Sequence, residues 1–160
     1  MQYIREVASK NVSVFKLIPI AFVAFVNYLH RRLIGGHIYP FIDANLLLED
    51  AATPAIHLEL QPGEYVRIKK LHEILSTLNT NYRNRGLYFD REMIRYCGKE
   101  ARVLKRVKKI IDEATGEIIE ISNDCIILEG VVCCGDLSSN RLLCPRSIYP
   151  YWREIWLERV

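Results

Sequence analysis

The sequence predicts a mainly β domain behind a helical N-terminal arm, an α+β chain overall. After Pro62, short runs of β-branched and apolar residues alternate with turn residues, and each run is long enough for one strand. The long helical crossovers that parallel strands require are missing from this part. About five short strands with one or two helical insertions therefore favour a small, strongly bent β-barrel of the SH3-like type.

The arm, residues 1–62, contains a very apolar segment at 12–33 for which we predict a helix. We place Pro19 in its first turn, where the missing N–H is tolerated, and the Gly35-Gly36 pair at its end. Its uninterrupted apolar run is about ten residues, whereas a membrane-spanning helix needs about twenty. We therefore expect docking against the barrel, a protein partner or a second copy, with an interfacial helix at a membrane as the alternative.

The domain, residues 63–160, begins at the turn signal Pro62-Gly63. We predict elements in this order: a strand over 64–69, an amphipathic helix over 70–78, a polar loop over 79–86, a short helix over 89–96 with Asp90 at its N-cap, a hairpin of 101–111 with 117–121, a turn at Asn123-Asp124, a covered strand over 125–132, and a strand or short helix over 154–160.

A set of different short motifs extends from Pro62 to the end of the chain. These are Pro62-Gly63-Glu64, residues 83–87 (Arg-Asn-Arg-Gly-Leu), residues 89–93 (Phe-Asp-Arg-Glu-Met), Tyr96-Cys97-Gly98, residues 124–133, and residues 144–146 (Cys-Pro-Arg) through Trp156-Leu157. With these motifs the chain resembles a family of uncharacterised bacterial proteins. The resemblance implies no established activity. It implies cysteines at Cys97, Cys125, Cys133 and Cys144, with Cys134 as an addition.

Those four cysteines are the predicted metal ligands. Four thiolates can close a tetrahedral zinc site, which we favour, or hold an iron–sulfur cluster, which is the alternative. There is no Cys-x-x-Cys pair, and a straight strand would separate Cys125 from Cys133 by about 26 Å. The site therefore requires a sharp bend at Glu129-Gly130. The competing interpretation is that Cys125 is a small buried apolar residue.

Other residues could carry chemistry without a metal. Cys97 lies near basic residues that would favour a thiolate, although a structural cysteine is the simpler interpretation. Glu129, inside a predicted apolar strand, should face solvent, line a pocket, or pair with Arg146 or Arg153. Asp90 is a second pocket candidate.

The aromatic tail offers a binding surface of its own. Tyr151 and Trp152 could line a groove for a proline-rich peptide, whereas Trp156 is expected in the core. The basic stretch 83–113, which includes aromatic residues, could instead bind nucleic acid. A formal net charge of only +3 makes a solvated strand surface the better interpretation of that stretch.

Phosphate-binding glycine loops, zinc-protease helices and serine-hydrolase elbows are missing from the sequence. Five cysteines without a recognisable signal peptide favour reduced thiols in the cytoplasm. We therefore expect a non-enzymatic accessory or interaction module with a structural four-cysteine metal site, with membrane association through the arm as a variant. The alternatives are a redox protein or enzyme that uses the cysteine cluster, and a nucleic-acid-binding barrel.

Overall fold

The computed structural model describes residues 9, 13–35, 52–112, 115–133, 135 and 147–160. The chain divides into two compact units. The first comprises Met1–Asp43, Asp90–Glu92 and Val132–Ile148, and the second comprises Ala44–Phe89, Met93–Val131 and Tyr149–Val160. The boundary expected at Pro62 stays a prediction.

Helix α1, Val14–Leu33, belongs to the first unit. Ser13 caps it, because its side chain accepts a hydrogen bond from the Phe15 amide at 3.3 Å. Gly35, at a φ of +90°, donates to the His30 carbonyl and ends the helix. Pro19 lies inside the helix, beyond the first turn where we expected it. No helix in the described part of the chain is long and apolar enough to cross a membrane.

The second unit holds a four-stranded antiparallel sheet in the order β5-β4-β1-β6. Its strands are β1 (Tyr65–Ile68), β4 (Glu100–Ile111), β5 (Ile118–Leu128) and β6 (Leu157–Arg159), and a separate two-stranded hairpin pairs β2 (Arg83–Asn84) with β3 (Leu87–Tyr88). The short helix α2 covers Leu71–Leu75, and single 3₁₀ turns cover Arg91–Tyr96 and Glu154–Trp156. Strands thus dominate an α+β fold, as predicted.

The sheet curls because one C-terminal segment pairs at both of its edges. Trp152 exchanges two backbone hydrogen bonds with Ile126 of β5, at 2.8 and 2.9 Å. The chain then passes through the 3₁₀ turn Glu154–Trp156 and enters β6, which pairs with β1. The strands therefore form a curled half-barrel around a common core.

Three aromatic rings occupy the centre of that core. Phe89, Trp152 and Trp156 contact one another edge to face, with centroids 5.4 to 6.3 Å apart. Trp156 also donates from Nε1 to Thr77 Oγ1 at 3.0 Å. Trp156 is in the core as expected, but Trp152 is fully buried as well and is not available to a peptide groove.

Three local predictions differ from the structure. The turn expected at Asn123-Asp124 is not formed, since β5 runs without interruption from Ile118 to Leu128. The polar loop expected over 79–86 contains β2, and the helix expected over 89–96 is a 3₁₀ turn over Arg91–Tyr96. The first two differences lie at the candidate site.

Candidate functional site

A wide β-bulge interrupts the long hairpin of β4 and β5. Val107 pairs with Cys125 and Lys109 pairs with Glu120, so Lys108 alone lies opposite the four residues 121–124 of β5. Bulges of this kind bend a strand and turn side chains away from the regular ladder. The bulge accommodates the polar residues Ser122 to Asp124, of which Asn123 and Asp124 were predicted to form a turn.

The bulge forms one wall of the candidate site, and the turn between β2 and β3 forms the other. Arg85 and Gly86 both have positive φ, +46° and +83°, as in the tight turns that match the twist of a hairpin. Glycine adopts this conformation readily, but arginine rarely does. Arg85 is held there because its amide donates to Thr53 Oγ1 at 2.8 Å, and Arg83 donates to the Gly86 carbonyl at 3.0 Å.

Arg153 joins the turn to the bulge. Its Nε donates to the Asn84 carbonyl at 3.3 Å and its Nη2 to the Arg85 carbonyl at 2.8 Å. Its Nη1 donates to the carbonyls of Asn123 and Asp124, at 2.5 and 3.2 Å. One guanidinium group therefore fixes two irregular backbone segments relative to each other.

Arg153 is a buried cation, with 8% of its surface exposed. Within the described residues its partners are backbone carbonyls and the Cys125 sulfur, which lies 3.4 Å from Nη1, and none is a carboxylate. Burial lowers the pKa of the Arg153 guanidinium from its ordinary value. The Asp124 carboxylate instead binds Arg106, at 3.0 Å. The positive charge of Arg153 thus has no direct counter-ion here.

A second buried charge secures the segment before β1. Glu154, 5% exposed, accepts hydrogen bonds from the amides of Leu58 at 3.0 Å and Leu60 at 2.9 Å. Arg106 donates to the same carboxylate and also binds Asp124. Both Glu154 oxygens are therefore occupied, and the segment 58–60, in which Glu59 has a positive φ of +53°, is held against the C-terminal 3₁₀ turn.

Residues 55–57 pass between two fixed points and enclose a cavity. Asn84 Nδ2 donates to the Pro54 carbonyl at 3.0 Å on one side, and Glu154 holds Leu58 on the other. This cavity, cavity 1, has a volume of ≈ 230 Å³, and His57, Arg85, Arg153 and the bulge residues 122–124 line it. Cavity 1 thus has two fixed walls and basic groups on several sides.

Cavity 2 lies on the other side of the same guanidinium and has a volume of ≈ 380 Å³. Arg85, Arg153 and the bulge border it as they border cavity 1, and its lining also includes Tyr151, Ile110 and Cys125. Tyr151 is thus the aromatic residue of the tail that reaches a pocket.

The predicted cysteines fall in different places. Cys97 is partly buried, and burial raises the pKa of its thiol to about 11, so the thiolate that basic neighbours suggested does not form near neutral pH. Burial likewise raises the pKa of Cys125. Cys133 is buried and belongs to the first unit, and Cys144 lies outside the described residues. Among the described residues, no three His, Cys, Asp or Glu side chains are placed to hold a metal ion.

The remaining predicted residues are distributed as follows. β5 ends at Leu128, so Glu129 lies exposed in a turn with Gly130, whose φ is +70°, instead of inside a strand. The sharp bend expected there is present. Asp90 is buried, and its Oδ1 accepts a hydrogen bond from the Glu92 amide at 3.0 Å, which caps a turn as predicted. Arg146 lies outside the described residues.

Sequence reasoning did not select the residues that build the cavities. The sequence pattern indicated Arg153 only as a possible partner for Glu129. It did not indicate Asn84, Arg85 or Glu154 as site residues. The signal was an adjacent arginine and glutamate inside the aromatic segment Tyr151–Trp156, where buried charges require partners.

Comparisons with protein-family models, with curated proteins and with solved structures give no match for this chain. A function therefore has to be derived from the geometry around Arg153.

Proposed function

We propose that this chain is a non-enzymatic binding module on a small SH3-like barrel, with its ligand site in the two cavities beside Arg153. The observation that carries the proposal is the position of Arg153. It fixes a left-handed turn and a β-bulge through hydrogen bonds to four backbone carbonyls, and it lines both cavities. The antiparallel, strongly curled sheet supports the barrel assignment.

The chemistry of the site favours binding over catalysis. A nucleophilic cysteine needs a lowered pKa, whereas burial raises the pKa of both Cys97 and Cys125. The carboxylate of Glu154 already accepts from two amides and from Arg106, and that of Asp124 accepts from Arg106. Both oxygens of Glu154 are therefore committed to the fold, whereas a general acid or base needs a lone pair or proton free for the substrate.

The walls of the site are preorganised. The turn and the bulge are held by hydrogen bonds before any ligand arrives, which reduces the ordering cost of binding. In contrast, the Arg85 guanidinium and the His57 imidazole have no hydrogen bond or ion pair to other described residues. Fixed walls with free donors at the opening are characteristic of ligand sites.

The proposal is tested by titrating isotopically labelled protein with small fragments that include anionic, neutral and cationic members. We expect amide shifts at Arg85, Ser122 and Asn123, and no shifts at Tyr65, which is exposed in β1 and lines neither cavity. Ser122→Phe should fill the space that both cavities share and abolish those shifts.

The matched control is Ser76→Phe, which changes an exposed serine that lines neither cavity. Fragments that shift the same amides equally in Ser122→Phe and in the parent protein would refute the assignment of the site. So would a complete lack of binding across the fragment set.

A zinc ion on Cys97, Cys125, Cys133 and Cys144 is a second candidate, and one contact favours it. The Arg153 Nη1 atom lies 3.4 Å from the Cys125 sulfur. A zinc ion with four thiolates carries net negative charge, which a neighbouring guanidinium would complement. The metal would then be a structural staple of the same binding module.

A further inference from the structure

We infer that cavity 1 binds an oxyanion, the group that carboxylates and phosphate esters share, with Arg85 as its direct partner and Arg153 as the charge behind it. This inference rests on the proposed function, since it names the ligand class of the same site. Three features carry it: the balance of charge, the free donors and the size of the cavity.

The charge balance around cavity 1 is positive. Arg85 and Arg153 line cavity 1 with two guanidinium groups, and Asp124 and Glu154 line it with two carboxylates. A third guanidinium group, that of Arg106, lies outside the lining and binds both carboxylates. In the part of the chain that the structure describes, the oxygen partners of Arg153 are all backbone carbonyls. Because an uncompensated charge away from water is costly, a negative ligand group beside Arg153 would be favourable.

The donors of this region are only partly used. Arg153 Nη2 carries two N–H groups and donates to one acceptor, the Arg85 carbonyl. The Arg85 side chain uses none of its N–H groups within the described residues. A planar guanidinium binds an oxyanion through two parallel hydrogen bonds, a geometry that lysine cannot reproduce.

The backbone at Arg85 supports a role for its side chain. A non-glycine residue at a φ of +46° is strained, and Thr53 and Arg153 supply the contacts that maintain the strain. Asparagine or glycine would suit this turn position better than arginine. An arginine here gives up backbone stability, and the feature it adds is an exposed guanidinium without a bond to the other described residues, on a residue that lines the cavity.

The cavity suits a small group. Its volume of ≈ 230 Å³ is below the range of about 300–1,000 Å³ that drug-sized ligands occupy. It therefore fits a single oxyanion with a few attached atoms.

Inorganic phosphate and acetate are the probes, with tetramethylammonium as the cationic control, all at one ionic strength set with chloride. The test variant is Arg85→Asn, because asparagine tolerates the left-handed turn and should fold at least as well. We expect the phosphate dissociation constant to rise about tenfold, the loss of one charge-assisted pair. Lys105→Gln removes the same charge from an exposed position outside both cavities and should change the affinity less than about twofold.

The outcomes separate this inference from the proposed function. If neutral or cationic fragments shift the amides of Arg85 and Ser122 while phosphate and acetate do not, the oxyanion inference is wrong and the binding site stands. If no fragment of any charge shifts them, both are wrong. Equal weakening of phosphate binding by Arg85→Asn and Lys105→Gln would show diffuse attraction to a basic surface and overturn the oxyanion site.

Discussion

Replacing Glu154 by glutamine is expected to destabilise the second unit strongly. Glu154 is 5% exposed and accepts from the Leu58 amide, the Leu60 amide and Arg106. The substitution keeps the shape of the side chain but exchanges one acceptor oxygen for an N–H₂ group. At least one buried donor then faces another donor instead of an acceptor.

The size of the effect follows from that geometry. Removing one partner of a buried ion pair costs about 3–5 kcal/mol, and one hydrogen bond to a charged group contributes about 1.5–3 kcal/mol. Arg106 keeps its contact with Asp124 at 3.0 Å and is 18% exposed, so it is not left as an isolated buried charge. We therefore expect a loss at the lower end, about 3 kcal/mol of unfolding free energy.

Guanidinium chloride unfolding followed by tryptophan fluorescence measures this loss. Trp152 and Trp156 are both buried in the second unit, so their emission reports on that unit. For a unit of this size, a loss of about 3 kcal/mol corresponds to a midpoint about 12 to 24 °C lower in thermal unfolding. Amide exchange should also become faster at Leu58 and Leu60, which lose their acceptors.

Glu158→Gln provides the control, because it is the same chemical change at an exposed residue. Glu158 pairs with Arg67 at 3.2 Å on the surface, and such pairs contribute about 0–1 kcal/mol. If Glu154→Gln loses no more stability than Glu158→Gln, or if exchange at Leu58 and Leu60 is unchanged, the buried carboxylate does not fasten the segment before β1.

Two further predictions concern other parts of the chain. Alkylation requires the thiolate, and the pKa of Cys97 is raised to about 11. Cys97 should therefore react slowly with iodoacetamide at about pH 8 and faster as the pH approaches 11, as measured by mass spectrometry. Rapid labelling at the lower pH would contradict the burial of this thiol. Helix α1 has no acidic residue, carries three Lys/Arg, and exposes Phe22 at 66% and Phe25 at 58%. We expect sedimentation with phosphatidylglycerol vesicles, little with phosphatidylcholine vesicles, and loss of it in the double variant Phe22→Ser, Phe25→Ser, whereas binding that persists in this variant would argue against the helix as the lipid contact.

Elements with strong local patterns were predictable from the sequence. The hairpin of β4 and β5 has β-branched runs on both sides of a loop that contains Gly116, whose φ is +76°. β1 and α2 follow from strict alternation and from helical spacing. In each case the residues that determine the element lie within it.

The β2–β3 hairpin shows why other elements were not predictable. Each of its strands has two residues, and its turn places an arginine in a conformation that arginine disfavours. The contacts that hold it come from Arg153, 68 residues away from Arg85 in the chain, and from Thr53, 32 residues away. A local pattern carries no information about partners at that separation.

The bulge was partly visible in the sequence. Asn123 and Asp124 interrupt an apolar run, from which we predicted a turn, whereas the structure has a bulge within β5. The interruption did not show whether the chain would turn or bulge, because Arg153 decides this by binding both carbonyls. The candidate site therefore follows from tertiary contacts more than from any local motif.

The two proposals place different negative groups beside Arg153, and Cys125→Ser distinguishes them. The serine hydroxyl can still accept a hydrogen bond from Nη1, which lies 3.4 Å from the sulfur, but it cannot be a thiolate ligand. If an oxyanion in cavity 1 supplies the negative charge, the variant keeps its phosphate affinity and most of its stability. If a zinc thiolate supplies it, anaerobically purified parent protein contains one zinc per chain, and the variant loses that metal together with the folding energy it contributes. Brown, iron-containing parent protein would indicate a cluster instead. If the parent protein contains no metal and the Cys125→Ser variant still binds phosphate, the oxyanion is the counter-ion of Arg153.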